Sequence, residues 1–362
     1  MNPEIQIGNS KIGLDHPTYF IADIASNHGG NLEIAKTLIF EAAAAGADAA
    51  KFQHFRAETL VSSVGFDELG EKIAHQKFWN ESAFQVYKNV EVPFSWTVEL
   101  QIAASQAGID FFTAPYDLQL IDEVEEMVCA YKIGSGDITW LESIEKMSKK
   151  LKPMLLATGA STMEDVERAV ACIESHNKEI VIMQCNTNYT GERGNINNIN
   201  LNVLTEYKKR FPNRILGLSD HTPGHLVVLG AVALGARVIE KHFASNYSPI
   251  NPDLHFSLTP NEWRKMVDDT RELESSLGDG NKKIERNEFE SVIAQRRSLR
   301  YTRSLPAGHI INEDDLISLR PAPLESIPPY LSKEIVGRTL HEQVEYQELV
   351  KTQDFMIEKP LI

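Results

Sequence analysis

A closed α/β barrel, (β/α)8, followed by a small and mainly β domain is the architecture that this 362-residue chain predicts. Three observations carry the prediction. Short apolar runs rich in β-branched and aromatic residues alternate with segments of helical spacing. There are eight such runs, and strand–helix alternation implies right-handed βαβ units that can close into a barrel of about 250 residues. After residue 277 the helical period gives way to short β-like runs and turn residues.

The predicted strands are TYFIADI (18–24), ADAAKFQH (47–54), DFFTAP (110–115), AYKIGSG (130–136), PMLLATG (153–159), EIVIMQCN (179–186), ILGLSDH (215–221) and ARVIEKHF (236–243). Between them lie segments such as NLEIAKTLIFEAAAAG and TVELQIAASQAG, with apolar residues three and four apart and a Gly past the last turn. The stretch 55–94 is too long for an ordinary βα loop and is expected to help cover the barrel mouth. These signals divide the chain into a barrel at 1–277, a polar linker at 278–294 containing GDGNKKIERNE, and a small β domain at 295–362.

Lys and Arg number 36 against 51 Asp and Glu, a formal charge of −15. That balance argues against non-specific binding to nucleic acid or an anionic membrane. Cys129, Cys172 and Cys185 are too few and too dispersed for a disulfide framework, and there is no CxxC pair for zinc. The N-terminal MNPEIQIGNSKIG lacks the features of a leader, and no run of 18 apolar residues occurs. The expectation is a protein of the reducing cytoplasm.

Active sites of such barrels lie at the C-terminal ends of the strands. Those ends are unusually polar here. Lys51 and Lys132, with the hydroxyls of Thr113, Ser135 and Ser219 and the Gly-flanked amides of IGSGD, suit a phosphate or carboxylate. The alternative is that each lysine pairs with a nearby acid such as Asp137. His221 and His242 end consecutive strands, and two imidazoles with open positions suit a divalent metal ion; the alternative is a pair of hydrogen-bonded core histidines. Asp23, Glu240 and Asp253 can orient a polyhydroxylated ligand or handle protons, or else support the lysines and histidines. In IEKHF, strand alternation sends Glu240 and His242 to one face and Lys241 to the other, where packing or a salt bridge is expected.

The strings IADIASNHGGNLEIAK, GADAAKFQHF, FFTAPYD, YKIGSGDI, LATGASTMEDV, GLSDHTPGH, GARVIEKHF and PDLHFSL occur in this order. Together they resemble the bacterial sialic acid (N-acetylneuraminate) synthases and their legionaminate and pseudaminate relatives. The tail SLPAGHIINEDDLISLRPAPLESIPPYLSKEIVGRTL resembles the antifreeze-protein-like domain of these enzymes, so the resemblance spans nearly the whole chain. It implies a transferase that condenses phosphoenolpyruvate with an open-chain N-acyl hexosamine, N-acetylmannosamine first, to a nine-carbon 2-keto sugar acid and phosphate. The alternative is a legionaminate, pseudaminate or other nonulosonate synthase using a different hexose. The resemblance further implies a divalent ion, Mn2+ or Mg2+, on His221 and His242, and phosphoenolpyruvate held by Lys51, Thr113, Lys132, Ser135, Thr187 and Ser219. Asp23, Gln53, Tyr189 and Asp253 would hold the sugar, joined by Arg320 from the partner in a domain-swapped homodimer. Asp23, Glu240 and Asp137 are the candidate catalytic carboxylates, with Glu240 and Asp137 competing for the water-activating role.

Three departures bear on specificity. Asp23 stands where the family usually has Glu, which shortens the reach by one methylene. CNTNYT replaces CxxxYP and puts Thr187 where some relatives carry a phosphate-binding Asn, leaving Asn186 or Asn188 to take over that contact. LRPAP replaces the commoner RPG around Arg320.

Overall fold

The computed structural model describes residues 2–69, 76, 77 and 79–356. It forms two compact units, Met1–Gly278 and Asp279–Ile362. The chain opens with a hairpin of β1 (Glu4–Ile7) and β2 (Ser10–Gly13), paired antiparallel with Ile7 opposite Ser10. Gly8 makes its turn possible twice over. Its φ of +52° is a left-handed conformation, and a Cβ there would lie 1.9 Å from Asp110 Oδ1. Ile5, Ile7 and Ile12 are buried in the main core, packed near the N-terminal ends of the barrel strands.

The eight barrel strands are β3 (Tyr19–Asp23), β4 (Ala49–His54), β5 (Asp110–Pro115), β6 (Tyr131–Ile133), β7 (Met154–Ala157), β8 (Ile180–Cys185), β9 (Ile215–Asp220) and β10 (Ala236–His242). They run parallel and in sequence order, and β10 closes against β3. Each lies within a predicted run, because strands buried on both faces read as continuous apolar stretches. The helices around them start and stop where local chemistry dictates. Asn31 caps Leu32–Ala44 by accepting from the Glu33 and Ile34 amides. Thr162 with Asp165, and Thr259 with Glu262, form capping boxes for Met163–Glu174 and Pro260–Leu277. Gly108, at φ +76°, ends Thr97–Ala107.

The insertion after β4 folds into the short helices Ala57–Leu60, Gly65–Glu68 and Ala83–Asn89; its residues 70–75 and 78 lie outside the described residues. No described helix is long and apolar enough to cross a membrane.

The second unit has its own core, built from residues including Leu299, Tyr301, Ile311, Ile335, Leu340, Val350 and Phe355. Strands β11 (Ser298–Tyr301) and β12 (Leu316–Leu319) pair antiparallel. The helix Phe289–Gln295 begins inside the segment read from sequence as a linker and runs through its end. Ile293 O accepts the Ala322 amide and Gln295 O accepts Arg320 Nε, so this helix is tied into the second unit. Residues 357–362 of the expected tail domain lie outside the described residues.

Candidate functional site

Strand register decides which rim residues meet. Asp23 at the end of β3 is level with Lys51 of β4 on one side and with His242 of β10 on the other, and Glu240 is level with Ser219 of β9. These side chains share the inward face and line a cavity of about 440 Å3 at the C-terminal end of the barrel. Asp23, Gln53, Lys132, Ser135, Asp137, Thr187, Tyr189, His221 and Asp253 line it too. Phe55, Leu60, Trp79, Val86, Tyr87 and Val90, all from the insertion, contribute to its wall.

The two lysines are paired, though not with Asp137. Lys51 Nζ lies 2.6 Å from Asp23 Oδ2 and 3.8 Å from Glu240 Oε1, and Lys132 Nζ lies 3.1 Å from the same Glu240 oxygen. Lys51, Lys132, Asp23 and Glu240 are each at most 4% exposed. Burial works against charge on Glu240, but Lys132 and Lys51 outweigh it and hold the carboxyl well below its usual range. Burial likewise opposes charge on Lys51, yet Asp23 and Glu240 raise its pKa, so Lys51 stays ionised. Ser219 Oγ donates to Glu240 Oε1 at 3.1 Å, while Glu240 Oε2 is buried without a partner. That oxygen is an acceptor available to a ligand or water. Asp137 has a different environment: burial pushes its carboxyl up to about 6.

A hydroxyl and amide cradle adjoins the lysines. Ser135 Oγ accepts the Gly159 amide at 3.0 Å. A Cβ on Gly159 would lie 2.5 Å from Thr187 Cγ2 and 2.9 Å from Ser135 Oγ, so the ends of β6, β7 and β8 can approach only with glycine there. Asp253 is fixed by the Ser26 amide at 3.0 Å and the Ser26 hydroxyl at 2.5 Å. Gln53 Nε2 reaches Asp23 Oδ2 at 3.4 Å.

His221 and His242 lie with ring centroids 5.3 Å apart, against Phe256 and Tyr189. His221 Nδ1 bonds the Asn186 carbonyl at 3.0 Å, which leaves Nε2 for a ligand. Burial, and secondarily His242, keeps this imidazole neutral. His242 Nε2 is 3.6 Å from Asp23 Oδ2, and its Nδ1 is buried without a hydrogen-bond partner. Two neighbouring imidazoles, one with an orphaned nitrogen, fit a divalent ion. Among the described residues no group of three or more His, Cys, Asp or Glu is arranged to hold a metal, so further ligands would be water or substrate oxygens.

Two expectations need correction. Thr113 does not line the cavity; its Oγ1 bonds His54 Nδ1 at 2.8 Å and the Phe52 carbonyl at 2.9 Å, on the strand face turned toward Thr97. Asn186 and Asn188 organise their own loop through the Asn198 carbonyl and the Asn188 and Thr190 amides. Arg320 is described within the second unit alone, exposed and bonded to Gln295 O. Sequence reasoning missed Tyr116, Cys185 and Phe256 in or against the cavity. Tyr116 and Phe256 stand inside the quoted strings FFTAPYD and PDLHFSL, and Cys185 ends β8.

Comparisons with known proteins point to one family. The N,N'-diacetyllegionaminic acid synthase of Campylobacter jejuni serotype O:2 is 33% identical over 92% of this chain and 99% of its own length. A pseudaminic acid synthase of C. jejuni serotype O:23/36 is 30% identical over 97% of this chain and all of its own. Among solved structures, the N-acetylneuraminic acid (sialic acid) synthetase of Leptospira borgpetersenii superposes with a TM-score of 0.70 at 29% identity, covering 81% of this chain and 96% of that one. Residues 296–356 match the SAF domain, and residues 38–282 match the NeuB family, so the chain belongs to the NeuB family of sialic acid and nonulosonate synthases.

Proposed function

We propose that this enzyme is a transferase that condenses phosphoenolpyruvate with the open-chain form of an N-acyl hexosamine, giving a nine-carbon 2-keto sugar acid and inorganic phosphate. The observation that carries the reading is the buried Lys51–Glu240–Lys132 cluster beside His221 and His242 in one cavity. Its ammonium groups, with Ser135, Thr187 and Ser219, hold the phosphate and carboxylate of phosphoenolpyruvate. Asp23, Gln53, Tyr189 and Asp253 face the sugar. Asp23 is drawn into the Lys51 pair at 2.6 Å, so this shorter carboxylate reaches the sugar as part of an ion pair.

His221 and His242 would hold Mn2+ or Mg2+, which supplies Lewis-acid polarisation of the sugar aldehyde when bound. The methylene carbon of phosphoenolpyruvate attacks that aldehyde carbon, and positive charge develops at the phosphate-bearing carbon. Glu240, kept ionised by the lysines, lies ready to stabilise that charge. Water then adds, and phosphate leaves by carbon–oxygen cleavage while Lys51 and Lys132 neutralise it. Asp137 is the better proton acceptor for the water, since a carboxyl near 6 binds a proton that Glu240 releases.

The acceptor is N-acetylmannosamine or the hexose of a legionaminate- or pseudaminate-type synthase; the named relatives include both of the latter. A cytoplasmic location belongs to the same reading and is supported by three free cysteines. Phosphate release from phosphoenolpyruvate across a panel of N-acyl hexosamines decides the acceptor. Silence with every six-carbon acceptor would refute the reading. Arg320 would act from the partner's tail in a domain-swapped homodimer. Mixing Arg320→Ala subunits, whose barrel is intact, with His242→Ala subunits, whose tail keeps Arg320, should then restore activity that neither has alone. Complete failure to complement contradicts the swap.

A further inference from the structure

The face of β9 and β10 turned away from the cavity carries an ion pair that the condensation does not use. Asp220 and Lys241 are cross-strand partners in the last rung of the β9–β10 ladder. Both side chains are 0% exposed, with Lys241 Nζ 2.7 Å from Asp220 Oδ2. Nζ also donates to the Thr222 carbonyl at 2.7 Å. Asp220 in turn accepts the Thr222 amide at 3.1 Å and the Thr222 hydroxyl at 2.9 Å. Residues 220, 222 and 241 are thereby joined by four polar contacts.

The placement of this knot is specific. His221 is the single residue between two anchored neighbours, and His242 follows the third. Both imidazoles come one residue past the last β9–β10 rung, where the ladder no longer fixes the two strand ends against each other. Dehydrating an ammonium and a carboxylate completely is costly, and apolar residues of similar volume generally pack as well. A purely structural requirement therefore explains the pair poorly, whereas a geometric requirement at the two histidines explains its position.

Resting on the metal assignment above, we propose that Asp220, Thr222 and Lys241 form a clasp that sets the separation and orientation of His221 and His242 for a divalent ion. These are positioning residues; none lines the cavity. Partners bonded directly to a metal ligand are worth about 10–100-fold in metal affinity, and a clasp that acts through the adjoining backbone is expected at the lower end of that range.

The test uses full-length, metal-free protein titrated with manganese(II) alone, reading free and bound ion by electron paramagnetic resonance. Wild type should bind one ion that His242→Ala loses. A wild type that binds none refutes the metal assignment and the clasp together, whereas binding without turnover refutes only the proposed reaction. The double variant Asp220→Asn/Lys241→Met removes the pair without stranding a charge. It should fold, bind manganese about 10-fold or more weakly, and alter the bound-ion spectrum. A folded double variant with wild-type affinity and spectrum overturns the proposal. If that variant does not fold, Thr222→Val decides. It removes one hydroxyl donor and should weaken manganese by about 3-fold, the loss expected of a single hydrogen bond. Unchanged affinity in it overturns the clasp.

Discussion

Replacing Lys132 with Met tests the electrostatic core of the site. The Lys132–Glu240 contact is 3.1 Å, and both side chains are about 4% exposed, so the pair is effectively dry. Removing the ammonium strands the Glu240 carboxylate, which keeps only the Ser219 hydroxyl at 3.1 Å and Lys51 at 3.8 Å. Breaking a buried pair from one side costs about 3–5 kcal/mol. Because Lys51 remains within reach, the lower end, about 3 kcal/mol, is expected. In a unit of this size each kcal/mol moves the melting temperature by about 2–4 °C, so the barrel transition should fall by about 6–12 °C. Calorimetry of the metal-free, ligand-free protein reads this directly. Adding Glu240→Gln to Lys132→Met removes the stranded charge and should recover about half of the loss or more. A fall equivalent to less than about 1 kcal/mol, the range of exposed pairs, would refute the description of a dry, mutually dependent pair.

Other perturbations read other parts of the site. His242→Ala should abolish metal-dependent turnover and lower manganese affinity by more than the about 10–100-fold typical of an outer-sphere partner; near-normal activity in chelator-treated buffer would refute the assignment. Asp137, pushed up to about 6 by burial, should give turnover that rises with pH through about 6, a limb that Asp137→Asn removes. Its stability signature has a definite sign. A carboxyl raised on folding stabilises the fold below its unfolded pKa and loses that contribution as pH rises through the folded value. Asp137→Asn should therefore stabilise the protein by about 2 kcal/mol at pH 8 and leave it unchanged at pH 3. Gly159→Ala forces a methyl against Thr187 and Ser135 and should cost about 1–3 kcal/mol while raising the KM for phosphoenolpyruvate; an unchanged KM would remove the cradle from the account.

The eight strands were legible because both of their faces are buried, and continuous apolar runs bounded by turn residues have few other uses. Alternation within one strand was equally readable. It separated Lys241, now found with Asp220, from Glu240 and His242, which face the cavity. Phase between strands was not readable. Lys51 lies level with Phe112 and Phe52 with Thr113, so Thr113 faces away from the cavity with His54, and only the register reveals it. Charge pairing was half legible. Acid partners for the lysines were foreseeable, but Glu240 reaches Lys132 from the opposite side of the barrel, where sequence separation gives no guide. The hairpin of β1 and β2 went unread although EIQIGNSKIG carries its signal, alternating apolar residues around a Gly-Asn turn. Arg320 lies in a unit with its own core, and no sequence pattern in one unit reports which site its arginines serve.

The central claim is carbon–carbon bond formation with loss of the phosphate of phosphoenolpyruvate. Mass spectrometry of the reaction with bridging-18O phosphoenolpyruvate, manganese and the acceptor chosen by the panel tests it directly. The account predicts a product heavier than the sugar by a three-carbon keto acid unit, one phosphate per product, and the label in the phosphate. Phosphate released together with free pyruvate, or label retained in the organic product, would contradict it.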